Sequence, residues 1–175
     1  MTNKLLKTGT VYHLSNDEQK LIIKMAETIC NQDRRYFVDK YKKDKSMSLL
    51  EMNKNGFGAE LAFCRLCKVT FDSSTVEKES HFNKVDATLP DGTTVDVKTT
   101  VHKNGKLIVR HGKEQKVVDV YALLTGTFPT FTFCGWISYE GIIKIEHTEN
   151  LGWGNAYSLP QTKLNQALTI HENLK

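Results

Sequence analysis

The chain has 175 residues, of which 39% are hydrophobic and 25% charged, and its formal net charge is +4. That length and composition are ordinary for one folded soluble domain with a sizeable core, and the mild positive charge permits a polyanionic partner without requiring one. No apolar run approaches the roughly 18 residues of a membrane span, and the first residues, MTNKLLKTGTVYHL, lack the apolar stretch of a signal peptide. We therefore expect a single domain over residues 1–175 with no membrane partner.

The cysteines favour a reduced, cytoplasmic setting, because the spacing of Cys30, Cys64, Cys67 and Cys134 is not that of a disulfide framework. Cys64 and Cys67 form a C-x-x-C pair, but no two further ligands lie nearby at the spacing of a structural zinc site. Redox pairs usually lie at a helix N-terminus, whereas this pair falls late in a helical pattern. We predict two buried helix cysteines, with a zinc or iron–sulfur protein as the alternative.

A capping box opens the first predicted helix, because Ser15 is followed three residues later by Glu18. The helix is predicted to run to about Tyr41, and its apolar residues recur at helical spacing at Leu21, Ile22, Met25 and Ile29. Two interpretations stay open for its basic end, RRYFVDKYKKDK, which also contains Tyr36 and Phe37. It is either a solvated helix terminus, where cations suit the helix dipole, or a surface that contacts phosphates. We predict that residues 1–47 form an N-terminal helical extension.

Ser48 opens the second predicted helix, SLLEMNKNGFGAELAFCRLCKV. Leu61, Ala62 and Leu66 supply much of its apolar stripe. Glu60 stands inside this apolar half of the helix. Its carboxylate therefore lies either at the helix edge in water or inward, where burial of a charge needs a compensating partner.

From Val69 onward the hydrophobic period changes towards two, which predicts strands. The predicted strands are KVTFD, the two arms of a hairpin over residues 84–100, KLIVR, VVDVYALLTG and FTFCGWIS. A short helix around EGIIKI, a glycine-rich loop LGWGNAY and a final weak helix after SLPQTKL complete the chain. Two helices followed by a run of strands indicate an α+β fold in which helices flank a mixed sheet.

The predicted hairpin, KVDATLPDGTTVDVKTT, has its turn at Pro90-Asp91-Gly92. Proline presets φ at the first turn position and glycine adopts positive φ at the last, which suits a three-residue loop. The resulting register pairs Leu89 with Thr93, Ala87 with Val95, Asp86 with Asp96 and Val85 with Val97. Because side chains alternate across a strand, the valines and Ala87 share an apolar face. The polar face carries Asp86, Thr88, Thr94, Asp96 and Lys98.

Two aspartates on this polar face, Asp86 and Asp96, would have Cβ atoms about 5 Å apart. Bare carboxylates at that separation repel, and one takes up a proton unless a cation lies between them. In one interpretation Lys98 simply neutralises Asp96 on an exposed strand. Addition of Glu60 from the second helix would instead make three carboxylates and a lysine, a set of hard oxygen ligands suited to Mg²⁺ or Mn²⁺.

The order of a helical Glu60, then Asp86, then Asp96-Val97-Lys98 resembles the PD-(D/E)xK nuclease superfamily, which has the restriction-endonuclease-like fold. The downstream pattern VVDVYALLTG, FCGWIS and YSLPQTKL is similar to small phage-encoded members of that superfamily, and the resemblance spans about residues 50–165. It implies a central mixed sheet flanked by helices and a DNA endonuclease that uses Mg²⁺ or Mn²⁺. The expected location is the cytoplasm, or the host cytoplasm if the chain is phage-encoded.

The resemblance also implies the roles of individual residues. Asp86, Asp96 and Glu60 would be catalytic metal ligands, with Lys98 as the catalytic lysine and the main-chain carbonyl of Val97 as a further ligand. One departure is that the literal Pro90-Asp91 pair lies in the turn, where an aspartate would point away from Asp96, so Asp86 takes the catalytic assignment. Another is that the core helix expected after the D-x-K strand is not evident, because residues 101–116 read as a turn and a strand.

Residues 101–116, VHKNGKLIVRHGKEQK, carry five lysines or arginines against one glutamate and follow soon after Lys98. We predict DNA-backbone contacts from Lys103, Lys106, Arg110 and Lys113, with a solvated basic loop as the alternative. The alternative function for the whole chain is a catalytically silent nuclease-fold module that binds DNA or another partner. The sequence leaves open the shape of the substrate, whether RNA is cut, and whether the protein forms a homodimer.

Overall fold

The computed structural model describes residues 2–33, 47–77, 85–112 and 118–172. Three α-helices lie within those residues: α1 (Asn16–Asp33), α2 (Leu49–Cys67) and α3 (Tyr139–Ile142). The strands there are β1 (Thr2–Lys7), β2 (Val11–His13), β3 (Ala87–Thr88), β4 (Thr94–Thr100), β5 (Leu107–Arg110), β6 (Val120–Thr127), β7 (Thr130–Ser138), β8 (Thr148–Asn150), β9 (Asn155–Leu159) and β10 (Ala167–Glu172). Short 3₁₀ helices lie at Ser73–Glu77, Ile145–His147 and Gln161–Lys163. The predicted basic helix end with Tyr36, Phe37 and Tyr41 lies outside the described residues.

The strands form three sheets, of which the largest is mixed. Its order is β2-β7-β6-β4-β3, with β4 and β6 parallel and the other neighbours antiparallel. A three-stranded antiparallel sheet has the order β5-β9-β8, and β1 pairs with β10. The predicted α+β class with a mixed sheet is confirmed. Across the described ranges, no helix combines the length and the apolar character needed to cross a membrane.

Both long helices begin at the predicted capping residues. At α1, the backbone N–H of Ser15 donates to Glu18 Oε2 at 2.9 Å, and the backbone N–H of Glu18 lies 3.4 Å from Ser15 Oγ. At α2, Ser48 and Glu51 form the reciprocal pair of bonds. Glu18 also accepts a hydrogen bond of 2.7 Å from Nε of Arg65, so the cap of α1 is tied to the last turn of α2.

Helix α2 packs on one face of the large sheet, together with α1. Their buried side chains meet those of the sheet in a first core cluster, which includes Ile22, Met25, Leu61, Phe63, Val95, Val97 and Phe133. The helix is closed by Lys68, whose left-handed φ of 58° lets its N–H bond back into the last turn. The packing of α2 in this cluster holds the part of the helix that carries Glu60 against the sheet.

The opposite face of the large sheet is covered by the three-stranded sheet and the short α3, which differs from the predicted flanking by helices. A second core cluster joins the two sheets and includes Leu107, Val109, Tyr121, Leu123, Ile142 and Leu159. In the described part of the connection between β4 and β6, the segment after β4 forms a turn and then β5, as the sequence predicted. In most units of two parallel strands the connecting helix covers the sheet, and here the small sheet covers it instead.

The two ends of the chain differ from their predictions. Strands β1 and β2 precede α1, so residues 1–47 are not simply a helical extension, and the predicted final helix is the strand β10. Strand β1 pairs with β10, and Leu6, Leu168 and Ile170 on these strands are buried. Because this pairing joins residues far apart in sequence, local periodicity carries no sign of it.

The predicted strand KVTFD is wrong. Residues 69–72 have irregular backbone and no strand partner among the residues that the structure describes. Val69 and Phe71 are partly buried against the first core cluster. The alternating apolar residues of this segment therefore belong to a loop that follows α2 and packs on the first core cluster.

The hairpin turn has the predicted geometry. The backbone N–H of Leu89 donates to the carbonyl of Thr93 at 2.8 Å, and that of Gly92 donates back to Leu89 at 2.9 Å. Gly92 has a φ of +90°, which glycine adopts without strain. The ladder that follows pairs Ala87 with Val95, as predicted.

Beyond Ala87 the predicted register is wrong. The backbone N–H of Asp86 donates to the carbonyl of Val95 at 2.9 Å, so Asp86 and Ala87 both lie opposite Val95, the arrangement of a β-bulge. Val85 consequently packs in the second core cluster, whereas Ala87, Val95 and Val97 lie in the first. Asp86 therefore does not stand directly across from Asp96.

Candidate acidic site

Glu60 is held on α2 at a point where the helix comes close to the sheet. A Cβ built at Gly58, two residues earlier, would lie 2.8 Å from Cε2 of Phe131, so the close approach depends on that glycine. Ala59 and Leu61 beside Glu60 are fully buried, and Glu60 itself is half-buried. These contacts favour the inward interpretation of its carboxylate.

Asp86 lies in the bulged segment just before β3. Its Oδ2 accepts a hydrogen bond of 2.6 Å from the backbone N–H of Val97, so the carboxylate turns towards β4. Its backbone carbonyl accepts from the thiol of Cys64 at 3.7 Å, which ties this segment to α2. The bulge thus re-aims the Asp86 side chain while keeping it beside β4.

Asp96 and Lys98 lie two residues apart on β4 and share one face of the strand. Asp96 is 7% exposed, and its Oδ1 lies 2.5 Å from Nζ of Lys98. That ammonium also lies 5.7 Å from the centre of the Tyr121 ring, within the range of a cation–π contact. Because 34% of the Lys98 side chain remains exposed, Lys98 contacts the buried Asp96 carboxylate and is also accessible to solvent.

The three carboxylates interact, and two of them resist ionisation. Burial and the neighbouring Asp96 raise the pKa of Asp86 to about 7, against the opposing effects of the Val97 N–H and Lys98. Burial, then Asp86 and Asp96, raise the pKa of Glu60 well above its ordinary value, and Lys98 opposes them. Lys98 does pair with Asp96, as the simpler interpretation expects, but within the described residues it is one lysine against three carboxylates, which leaves that part of the site short of positive charge.

The backbone N–H and C=O of Val97 point to the side of β4 on which the Asp86 carboxylate lies. In an extended strand the N–H and C=O of one residue point to the same side. Since the Val97 N–H donates to Asp86, its carbonyl is directed towards that side of β4 as well. The side chain of Val97 is buried in the first core cluster.

The donor chemistry of this set fits a hard divalent ion, because it consists of carboxylate and carbonyl oxygens. Asp96 Oδ1, though paired with Lys98, accepts no hydrogen bond of good geometry from the described residues. The geometry is less complete: in the parts of the chain that the structure describes, no three Asp, Glu, His or Cys side chains lie close enough to hold a metal ion. Coordination would therefore require side-chain movement in the acidic set of Glu60, Asp86 and Asp96.

A groove of about 510 Å³ opens beside Asp86, between the loop after α2 and the start of the hairpin. Its lining residues are Lys68, Val69, Thr70, Asp72, Val85, Asp86, Ala87, Thr88 and Pro90. Of the acidic set, Asp86 alone lines this groove. A larger groove of about 710 Å³, lined in part by Asp91, Asp119 and Trp136, contains no member of the set.

Asp91, the aspartate of the literal Pro-Asp pair, belongs to the turn. Its carboxylate accepts a hydrogen bond of 3.0 Å from the backbone N–H of Thr93, and this bond lowers its pKa. It is exposed, and Nε2 of His171 lies 3.9 Å from its Oδ2. These contacts agree with assigning the functional role to Asp86.

The residues predicted to contact DNA lie on the small sheet and the loop before it. Lys103 is exposed, Lys106 forms an ion pair of 2.8 Å with Glu149, and the guanidinium of Arg110 lies 4.7 Å from the centre of the Trp153 ring. Lys113 lies outside the described residues. The contact between Arg110 and Trp153 had no counterpart in the prediction.

Sequence reasoning gave no site role to Cys64, whose thiol contacts the Asp86 carbonyl, or to Tyr121, whose ring contacts Lys98. Cys64 follows Glu60 by four positions, the spacing that places side chains on one helix face, and this was an available signal. The contact of Tyr121 with Lys98 depends on the pairing of β4 with β6, which no local pattern shows. The prediction that Cys64 and Cys67 are buried helix cysteines is confirmed, and burial raises the pKa of each thiol to about 12.

Comparison with known proteins gives one match. The model of a family of unknown function, DUF5843, matches residues 5–128. The matched range contains the whole acidic set and Lys98. No curated protein and no solved structure matches the chain.

Proposed function

The chain belongs to the DUF5843 family, and we propose that it is a metal-dependent DNA endonuclease of the PD-(D/E)xK kind, which hydrolyses phosphodiester bonds. One observation carries the proposal: Glu60, Asp86 and Asp96 share a poorly solvated site in which Lys98 is the one lysine among the described residues. Such a concentration of negative charge costs stability unless a cation binds. A site for a hard divalent ion explains why the fold keeps this arrangement.

The acidic set would hold Mg²⁺ or Mn²⁺, with the main-chain carbonyl of Val97 as a further ligand. When bound, the ion would supply positive charge at the scissile phosphate and lower the pKa of the attacking water. The groove beside Asp86 would admit the DNA backbone on the side of that carboxylate.

Lys98 would orient the attacking water and donate a hydrogen bond to a phosphate oxygen. Its ammonium is positioned by Asp96 and by the ring of Tyr121, while part of the side chain stays in solvent. A positioned donor loses little entropy when the substrate arrives, and its charge opposes the negative charge that develops on the phosphate. DNA is the proposed partner, and free thiols at all four cysteines support a reduced, cytoplasmic location.

The test is cleavage of linear, nicked, single-stranded and four-way DNA by the purified protein with Mg²⁺ or Mn²⁺. Asp86→Asn, Asp96→Asn and Lys98→Met keep the side-chain size and remove the charge, and each should slow cleavage about 100-fold or more. Asp91→Asn is the matched control, because it removes a carboxylate from the exposed turn of the same hairpin and should leave the rate unchanged.

Undiminished cleavage by Asp96→Asn or Lys98→Met would overturn the proposal. Loss of cleavage in Asp91→Asn together with normal cleavage by Asp86→Asn would transfer the role to the literal Pro90-Asp91 pair.

The second candidate is a nuclease-fold module that binds DNA or another partner without cleaving it. It is favoured by the absence, within the described residues, of side chains gathered at coordinating distance. Titration calorimetry with Mg²⁺ or Mn²⁺ separates the candidates. A nuclease should show a saturable site that Asp96→Asn removes, whereas a silent module should show no specific heat.

A further inference from the structure

Arg110 and Trp153 form a cation–aromatic pair at the hairpin that joins β8 to β9. The guanidinium carbon lies 4.7 Å from the centre of the Trp153 ring, and both side chains are half-buried. Arg110 is the last residue of β5 and is paired with Ala156 of β9. This register brings the arginine beside the loop that carries the tryptophan.

The loop LGWG, residues 151–154, presents Trp153 through its backbone geometry. The N–H of Leu151 donates to the carbonyl of Gly154 at 3.1 Å, and Gly152 and Gly154 have φ values of 81° and 142°. A Cβ built at either glycine would meet no atom within 4 Å. The glycines therefore serve the turn and not packing.

A tryptophan is an unusual residue in a hairpin turn. Hairpin turns are usually made of small polar residues, and a large indole that stays half in water gives up part of its hydrophobic stabilisation. An aromatic ring beside an arginine is a combination with which proteins hold unpaired nucleotides, because bases stack on rings and guanidinium groups bind phosphates.

The small sheet that carries the pair covers the face of the large sheet on which Lys98 lies. Val109, next to Arg110, packs in the second core cluster with Tyr121. Tyr121 is aligned with Asp96 in the β4–β6 register, and its ring lies near the Lys98 ammonium. The small sheet therefore packs on the same face of the large sheet as Lys98, and Arg110, which follows the inward Val109 on β5, points to the outer face of that small sheet.

We propose that Arg110 and Trp153 form a binding site for an unpaired nucleotide, with its base stacked on Trp153 and its phosphate held by Arg110. The inference rests on the proposed action on nucleic acid, and it names the substrate class as single-stranded DNA or DNA with unpaired bases. It also gives Arg110 a more specific task than the general backbone contact predicted from its charge.

The chain has two tryptophans, so Trp136→Phe leaves Trp153 as the only indole reporter. The experiment uses this variant with Asp96→Asn, which removes a residue of the proposed cleavage site. A single-stranded oligodeoxythymidylate and a blunt duplex of equal length are titrated, and Trp153 fluorescence is followed beside the anisotropy of labelled DNA. The single strand should quench Trp153 strongly, and the duplex should quench it much less.

Substitutions then separate stacking from charge. Trp153→Leu should weaken single-strand binding about 5-fold to 100-fold, the range expected for loss of one stacked base, while Trp153→Phe should retain most of the affinity. Lys103→Gln is the control, because Lys103 is exposed and should weaken single-strand and duplex binding by the same factor. Far-UV circular dichroism of each variant verifies its fold.

Binding of the single strand without quenching of Trp153 would overturn the inference, as would unchanged affinity in Trp153→Leu or no binding at all. Cleavage by the wild-type protein is measured separately. Cleavage without quenching removes this site and leaves the proposed function standing, whereas quenching without cleavage does the reverse.

Discussion

The Asp86 carboxylate receives a backbone hydrogen bond of 2.6 Å from Val97, yet burial and Asp96 still raise its pKa to about 7. In an unfolded chain the same carboxyl has a pKa near 4. Between about pH 4 and pH 7 the folded protein therefore binds more protons than the unfolded chain, and its stability falls as the pH rises through that window. Glu60, whose pKa is also raised, acts in the same direction.

Asp86→Asn should accordingly stabilise the protein in the presence of EDTA, and by more at about pH 7.5 than at about pH 5. The amide keeps the shape of the side chain and carries no charge, so the gain should grow by on the order of 2 kcal/mol between the two pH values. Urea unfolding at both pH values measures it.

Asp91→Asn is the control for this substitution, because the pKa of Asp91 is lowered by its bonds to Thr93. Its loss should not stabilise the protein at either pH. An equal stability difference between wild type and Asp86→Asn at both pH values would show that the Asp86 pKa is not raised.

Helix α2 determines where Glu60 lies. Two of its glycines, Gly56 and Gly58, allow a test of how closely the helix packs against β7. A Cβ at Gly58 would lie 2.8 Å from Cε2 and 2.9 Å from Cζ of Phe131, whereas one at Gly56 would meet nothing within 4 Å. The same substitution at these two positions therefore separates helix propensity from packing.

Gly56→Ala should stabilise the protein by up to about 1 kcal/mol, the ordinary difference between glycine and alanine in a helix. Gly58→Ala should destabilise it, because overpacking of about 1–3 kcal/mol exceeds that gain. Urea unfolding of both variants measures the pair. A stabilised Gly58→Ala would mean that α2 lies farther from β7 than described.

Elements governed by nearby residues were predicted well from the sequence. The capping residues of α1 and α2 and the Pro90-Asp91-Gly92 turn each depend on contacts across a few positions, and all three are present. The pairing of β1 with β10 and the small sheet over the second core cluster depend on distant residues. Local periodicity therefore missed them.

The candidate site depends on both nearby and distant residues, so it was predicted only in part. The turn predicted that Asp86 lies beside β4, but the bulge that directs its carboxylate to Val97 has no signature in the residues around it. The approach of Glu60 was expected from the family resemblance, and Gly58 is the residue that permits it. The ring of Tyr121 near Lys98 could be identified only after the β4–β6 register was known.

At the scale of the whole molecule, the acidic set takes one residue from each of three neighbouring parts of the fold. Glu60 comes from α2, Asp86 from the segment before β3, and Asp96 from β4. A cation held by all three would link the helix to the hairpin and to the centre of the large sheet. Binding to the folded chain alone would then stabilise the whole fold by mass action.

Mn²⁺ should therefore raise the thermal midpoint at about pH 7.5. At 100 times its dissociation constant a ligand contributes about 2.7 kcal/mol, which for a chain of this size corresponds to a rise of about 5–10 °C. At about pH 5 the rise should shrink, because Asp86 and Glu60 then carry protons that compete with the ion. Asp96→Asn should show no rise, and an equal rise in that variant would assign the effect to ions bound elsewhere on the surface.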